Sequence, residues 1–307
     1  MSLATFVDEL GVVFSASVLA SGIRLAVPTA LAAIGEAVSQ RAGIFNLGLE
    51  GMMMVGAFAG FAVASSTGHA ALGLSVGALA GAGLASLMVL GNVVYGTSMI
   101  VTGFSLVLLG QGIGNFLYAS SQDALQSFPP LGEIDLGPLR DIPLLGATVF
   151  DQNVLFPLML ALALVVGALL ARTRFGLEVD ASGSDPTAAV AKGVDVLRTR
   201  AIAVLTAGLF AGLGGAAITV GSVGNFGSNI TAGRGFVAIS LVAIARCRIG
   251  WVIVAALLFG MLEAAQSRLQ DVEGIPVEFL PALPWIAVVL ALIVLASTRT
   301  ARLRSAA

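Results

Sequence analysis

One lysine, one histidine and one cysteine occur in 307 residues, and only 10% of the chain is charged. Each scarcity removes a class of chemistry. Lys192, the sole lysine, stands in Ala-Lys-Gly-Val, so there is no G-x-x-x-x-G-K-[ST] loop to cradle a nucleotide's phosphates. His69 by itself supplies no H-E-x-x-H pair and no Ser–His–Asp set, and its place at a loop tip reads as a surface position. Cys247 lacks a second cysteine for a disulfide or a thiolate metal cluster. No metal site and no enzymatic activity of the chain itself are expected. The first basic residue is Arg24, so the basic start of a cleaved signal peptide is missing and none is expected.

What the chain has instead is apolar length. Hydrophobic residues make up 58% of it and the mean hydropathy is +1.01, whereas soluble domains carry about 25% charged residues. The chain reads as an integral membrane protein. Continuous apolar runs exclude a membrane β-barrel, which alternates every second residue, and 38 glycines suit helices whose backbones approach closely. The fold expected is all-α and polytopic, one transmembrane domain over 1–307, with no soluble domain or low-complexity linker.

A span needs about 20 apolar residues, and on that measure about nine segments (eight to ten) qualify. They are 12–34, 44–66, 71–91, 99–119, 153–171, 200–222, 234–246, 250–266 and 281–298. With the N-terminus outside, the inner connections collect Arg41, Arg172, Arg174, Lys192, Arg198, Arg200, Arg246, Arg248, Arg299, Arg302 and Arg304. The outer ones hold only Arg140, Arg234 and Arg268. This bias predicts an outside N-terminus and a cytoplasmic C-terminus. Arg24 lies within the first segment, which therefore faces protein or a polar cavity at that point.

The chain is organised around 36–56, EAVSQRAGIFNLGLEGMMMVG. Glu50 lies nine residues past Arg41, about 13 Å further if the chain is helical. An ionisable group at such depth is a functional candidate by default. Asn46 and Glu50 share a helical face, and Gly43, Gly48 and Gly51 make an interrupted helix plausible. Both a structural role and contact with a permeation path are open for this pair. Thr102, Gln111 and Asn115 punctuate the fourth segment, as glue between helices or as ligand contacts. Gly208 and Gly212 form a GxxxG spacing that implies close packing. The run Gly224-Asn225-Phe226-Gly227-Ser228-Asn229 either offers amides and an aromatic to a polar ring-shaped solute or is simply a turn. Glu263 reads as a surface group that snorkels.

Two connections are long. The outer one, 120–152, contains Pro129, Pro130, Pro138 and Pro143 and reads as an irregular cap over the bundle. The inner one, 172–199, contains Asp185-Pro186-Thr187-Ala188-Ala189 and then Gly193. An acidic N-cap, proline at the first helical position and glycine past the end predict a short helix over 186–192. It is either a solvated loop helix or a docking element for a cytoplasmic protein.

RAGIFNLGLEGMMMVGAF at 41–58 resembles the signature of permease subunits of bacterial nucleoside and simple-sugar ABC importers. A second block, SGSDPTAAVAKGVDVLRTRAIAVLTAGLFAGLGGA at 182–216 with GNFGSNITAGRGFVAISLVAIAR at 224–246, is similar to the same family. The chain looks closest to the shorter permease of nucleoside importers. The resemblance implies an ABC importer permease fold in the bacterial cytoplasmic (inner) membrane. It implies a translocation path between two permease chains, the second a paralogue or an identical copy, with Asn46, Glu50, Phe104, Gln111, Asn115, Asn225 and Phe226 as path candidates. It further implies a cytoplasmic ABC ATPase that binds ATP and magnesium, while this chain carries no cofactor, and an extracytoplasmic substrate-binding protein. Asp185, Pro186, Thr187, Ala188, Ala189 and Gly193 would form the helix that couples to the ATPase. ARCRIG at 245–250 departs from the glycine-rich, Trp-containing turn usual there. A simple sugar such as ribose is the alternative solute. Rival classes are an ion-coupled secondary transporter with Glu50 as ion site, and a channel or scaffold subunit.

Overall fold

A computed structural model describes residues 16–121, 125–132, 152–270 and 282–293. In chain order the helices are α1 (Ala16–Arg41), α2 (Leu49–Thr67), α3 (Ala70–Met88), α4 (Met99–Ser121), α5 (Leu155–Arg172), α6 (Arg174–Ser184), α7 (Pro186–Ala191), α8 (Val196–Ile218), α9 (Arg234–Ile244), α10 (Ile249–Leu269) and α11 (Leu283–Ile293). Seven of them, α1 to α5, α8 and α10, are long and apolar enough to cross a membrane. The segments expected at 234–246 and 281–298 appear as the shorter apolar helices α9 and α11. At 11 residues, α9 rises only about 16 Å, roughly half of a hydrocarbon core about 30 Å thick.

The first helix runs seven residues past the expected end at 34, because Glu36-Ala-Val-Ser-Gln-Arg41 contains no breaker and Gly43 is the first residue at positive φ (+86°). The chain from 42 to 48 is therefore a turn and not a helix, and Glu50 falls in the first turn of α2. α3 and α8 each end in a π-helical turn, Val89–Val94 and Thr219–Val223, and Gly224 closes the second at φ +72°.

Small residues decide how the helices cross. α1, α2 and α8 form the buried centre, with α3 on α8 and α10 on α1. Gly212 of α8 meets the backbone of Gly56 in α2 and of Gly77 and Gly81 in α3. A Cβ on Gly60 would lie 2.6 Å from the Ala216 methyl, and one on Gly214 2.6 Å from the Pro28 carbonyl in α1. Such contacts are closer than any side chain allows, and they maximise dispersion where lipid offers no hydrophobic driving force. The GxxxG at 208 and 212 is thus a packing element. α4 meets α2 and the turn before it by the same rule, at Gly51, Gly103 and Gly110.

One end of the bundle carries Arg41, Arg172, Arg200 and the turn 245–248. The other carries Gly68, residues 125–132 and the start of the chain after α8. At that second end the Phe128 amide donates to the Gly224 carbonyl (2.7 Å), and Ser65 Oγ donates to the Gln126 carbonyl (2.7 Å). This part of the expected cap is ordered against the bundle; the remainder, 133–151 with Pro138 and Pro143, lies outside the described residues. Arg24 borders a cleft of about 590 Å³ there, lined by Ser21, Asn153 and Ser222 as well as by Leu25, Pro130 and Leu131, so α1 faces a cavity of mixed polarity at that point. His69 is exposed beside Gly68, as its loop position suggested.

Gly212→Leu should force apart α2, α3 and α8. Overpacking costs about 1–3 kcal/mol, occasionally more, and the apparent melting temperature in detergent should fall by several degrees. Gly83→Ala, where a Cβ meets open space, should leave it unchanged. A monodisperse, equally heat-stable Gly212→Leu chain would contradict this account of the crossing.

Candidate functional site

The expected polar stretch does form a site, though by different contacts than helix periodicity suggests. Glu50 is 1% exposed and its carboxylate reaches across to the start of α9. Oε1 accepts from the Thr231 hydroxyl (2.5 Å) and the Gly233 amide (2.8 Å), and Oε2 accepts from the Gly235 amide (2.7 Å). Gly233 sits at φ +80°, and Asn229 and Ala232 are also left-handed, which turns these amides toward one point. A carboxylate is the acceptor that a helix N-terminus favours, since unpaired amides and the helix dipole both present positive charge there. A Cβ on Gly235 would meet the Glu50 backbone at 2.6 Å, so only glycine permits the approach. With three donors filling both oxygens, Glu50 is a structural acceptor that seats a half-length helix.

A second buried cluster lies toward the Arg-rich end. Glu36 is fully buried, and its Oε1 accepts from Gln40 Nε2 (3.1 Å) and the Asn46 amide (3.2 Å). Gln40 also donates to the Ile239 carbonyl of α9 (3.2 Å). Asn46 is buried too, and its Nδ2 faces Met52 Sδ at 3.3 Å. No donor among the described residues reaches Glu36 Oε2 or Asn46 Oδ1. Asn46 and Glu50 therefore serve two different networks despite their spacing of four, because 42–48 is not helical. Cys247 lies beside Gln40, and burial first, then the Glu36 carboxylate, pushes its thiol up, so it is a weak nucleophile at neutral pH.

The other path candidates separate into exposed and buried. Phe104 is 52% exposed on α4, with the Phe236 ring of α9 at 6.3 Å. Gln111 and Asn115 are half-buried on the same helix, and Asn115 Oδ1 has no donor among the described residues. Asn225 is exposed and accepts from the Phe226 amide (2.8 Å). Phe226 is 2% exposed, wedged between Phe58 (5.5 Å, edge-on) and Tyr118 (5.0 Å). Its ring is core, and the run 224–229 is the turn that leads into α9. Glu263, expected to snorkel, instead pairs with Arg234, which ties α10 to the start of α9. The bundle thus holds more buried ionisable side chains than the sequence suggested, since Glu36 and the pairing of Arg234 with Glu263 both went unrecognised. The signals were present: Glu36 and Gln40 stand four apart on α1, and Arg234 directly precedes Gly235.

The connection 172–199 forms two helices where one was expected. α7 matches the capping rules: Asp185 Oδ1 accepts from the Ala188 amide (3.0 Å), Pro186 is the first helical residue and Gly193 has φ +82°. α6 precedes it, with Thr173 as its N-cap. Arg41 donates twice to the Asp180 carboxylate (2.7 and 2.6 Å), and Arg200 donates to the Ala42 and Ser182 carbonyls. The unit is thereby bolted to the ends of α1 and α8. Thr187, Ala188, Val190 and Lys192 face outward, whereas Ala189 is buried and packs the helix down.

Glu50→Ala should destabilise the chain strongly, since about 1–3 kcal/mol is lost for each buried amide left without an acceptor. Glu50→Gln should fall between, because its amide group would face the Gly235 N–H. Thermal unfolding of the purified chain measures both, and unchanged stability of the alanine variant would refute the clamp.

The chain matches over residues 18–298 the family described as branched-chain amino acid transport system, permease component. Candidate glucose ABC transporter permease TsgC13 of Haloferax volcanii is 36% identical to it over 85% of this chain and 80% of that protein. Nucleoside ABC transporter permease NupC of Lactococcus lactis is 31% identical over 90% of each chain. Guanosine ABC transporter permease NupQ of Bacillus subtilis is 31% identical over 87% of this chain and 88% of its own. No solved structure matches. With seven helices among the described residues long and apolar enough to span, and a match along nearly its whole length, the chain belongs to the branched-chain amino acid transport system permease family, among its nucleoside and sugar ABC transporter permeases.

Proposed function

We propose that the chain is the membrane-spanning subunit of an ATP-driven importer that moves nucleosides by alternating access. The observation that carries the solute class is the half-exposed Phe104 ring on the outward face of α4, two turns from Gln111 on the same face. A nucleobase stacks on an aromatic face, and the Gln111 amide on the same face suits a ribose oxygen. The names of NupC and NupQ support the same reading. A hexose is the second reading, supported by the name of TsgC13. An ion-coupled transporter is disfavoured, because the three donors on Glu50 leave it no vacant oxygen for a cation.

In this reading the N-terminus is outside, the C-terminus is cytoplasmic, and α9 and α11 complete nine crossings of the inner membrane. The irregular chain 224–233 supplies the length that α9 lacks. Gln111 and Asn115 face a second permease chain, since half-buried amides on an outward face need polar partners away from lipid. Thr187, Ala188, Val190 and Lys192 meet a cytoplasmic ATPase, which binds ATP and magnesium, and a binding protein delivers solute at the other end. Because α6 and α7 are bolted to α1 and α8, a push on α7 moves the bundle's central helices as a body.

Two experiments test this. In a Cys247→Ser background, His69→Cys should react with an impermeant maleimide from outside cells, and Lys192→Cys only after permeabilisation; the reverse pattern would invert the topology. In proteoliposomes with its partners, the chain should support ATP-dependent nucleoside uptake that excess nucleoside, and not glucose, suppresses. Thr187→Glu with Val190→Trp should lower that uptake on the order of tenfold or more with normal membrane insertion. Uptake by this chain alone under an ion gradient would overturn the importer reading.

A further inference from the structure

At the Arg-rich end, the turn between α9 and α10 opens a cavity of about 370 Å³ lined by Arg246, Arg248, Trp251 and Val254 among others. Both arginine side chains are exposed, and neither forms an ion pair with a carboxylate among the described residues. Arg246 and Cys247 both have left-handed backbone (φ 51° and 56°), which reverses the chain just before α10, and both arginines line the cavity at the start of that helix. That terminus has no side-chain cap, so its first amides are free to meet an anion. Two guanidinium forks and an uncapped helix start together suit a phosphate group.

The cavity does not end at the turn. Ile244, Ala255 and Leu258 also line a second, almost wholly apolar groove of about 190 Å³, which continues between α9, α10 and α11 past Leu241, Leu262 and Val288. On the outward face of α10, Trp251, Val254, Leu258 and Leu262 form an exposed stripe. From 251 to 262 it rises about 16 Å, close to the depth of one leaflet, half of roughly 30 Å. The indole stands at the junction of charged and apolar surface, where tryptophan is enriched in membrane proteins.

We propose that this cleft is a binding site for an anionic phospholipid, with the phosphate held by Arg246, Arg248 and the α10 N-terminus and an acyl chain laid in the α9–α10–α11 groove. The charge favours an anionic headgroup over a zwitterionic one, since a choline or ethanolamine would bring its own cation against the arginines. The occupant is a lipid and not a soluble phosphate, because the apolar groove is continuous with the cationic mouth. This site is independent of the transported solute.

The test is native mass spectrometry of the full chain, with whatever partners copurify, released from nanodiscs of phosphatidylcholine and phosphatidylglycerol in equal amounts. Phosphatidylglycerol should be retained in preference, and R246Q/R248Q should lower its retention about fivefold or more, while Arg198→Gln leaves it intact. Leu258→Trp, which fills the groove and keeps both arginines, should lower it as well, and it reports on the site even if the double variant misfolds. Equal retention of both lipids, or undiminished phosphatidylglycerol in both variants, would overturn the proposal. Displacement of the lipid by millimolar glycerol phosphate would reassign the site to a soluble anion. Loss of lipid only when a second permease chain is bound would make the cleft a protein interface.

Discussion

The carboxylate of Glu50, held by two backbone amides and a hydroxyl at the start of α9, is the interaction on which the membrane architecture rests. A helix of 11 residues cannot cross a bilayer by itself, and the ten residues before it are not helical. Irregular backbone at membrane depth survives only when buried in protein with its polar groups satisfied. Glu50 supplies that satisfaction from another helix, and Gly233 and Gly235 provide the left-handed turn and the absent side chain that let it approach. The Arg234–Glu263 pair secures the same junction from the side of α10.

Around that junction the helices are held by shape. Glycines at the contacts of α2, α3 and α8 bring backbones so close that carbonyl oxygens lie where a methyl group would otherwise stand. Packing of this kind admits few intermediate arrangements, so a displaced helix moves as a unit. At the Arg-rich end, the Arg41–Asp180 and Arg200 contacts fix α6 and α7 to the two most buried helices. A rigid link from a surface helix to the centre of the bundle is what the proposed coupling to an ATPase would require.

Much of this was legible in the chain. The capping residues Asp185, Pro186 and Gly193 marked α7 within one residue, because a cap is a local interaction between neighbours. Gly208 and Gly212 announced a close crossing. The turn after Arg41 was signalled by Gly43, but a helix ending at 34 was expected, since hydropathy falls at Glu36 even though nothing there breaks a helix. α6 was missed because its stripe of Val179 and Ser182 is short, and its stability comes from contacts with α1 and α8.

The sequence by itself determined that the chain is a membrane bundle, which segments are apolar enough to enter lipid, and which family it resembles. These follow from composition and from interactions spanning a few residues. Only the tertiary structure decided what each polar residue does. Phe226 and Phe104 are alike as residues, yet one is sealed between Phe58 and Tyr118 and the other stands open on α4. For Glu50, the partners that meet both its oxygens come from residues about 180 positions away. The role of a buried charge is set by what surrounds it in space, and those neighbours are distant in the chain.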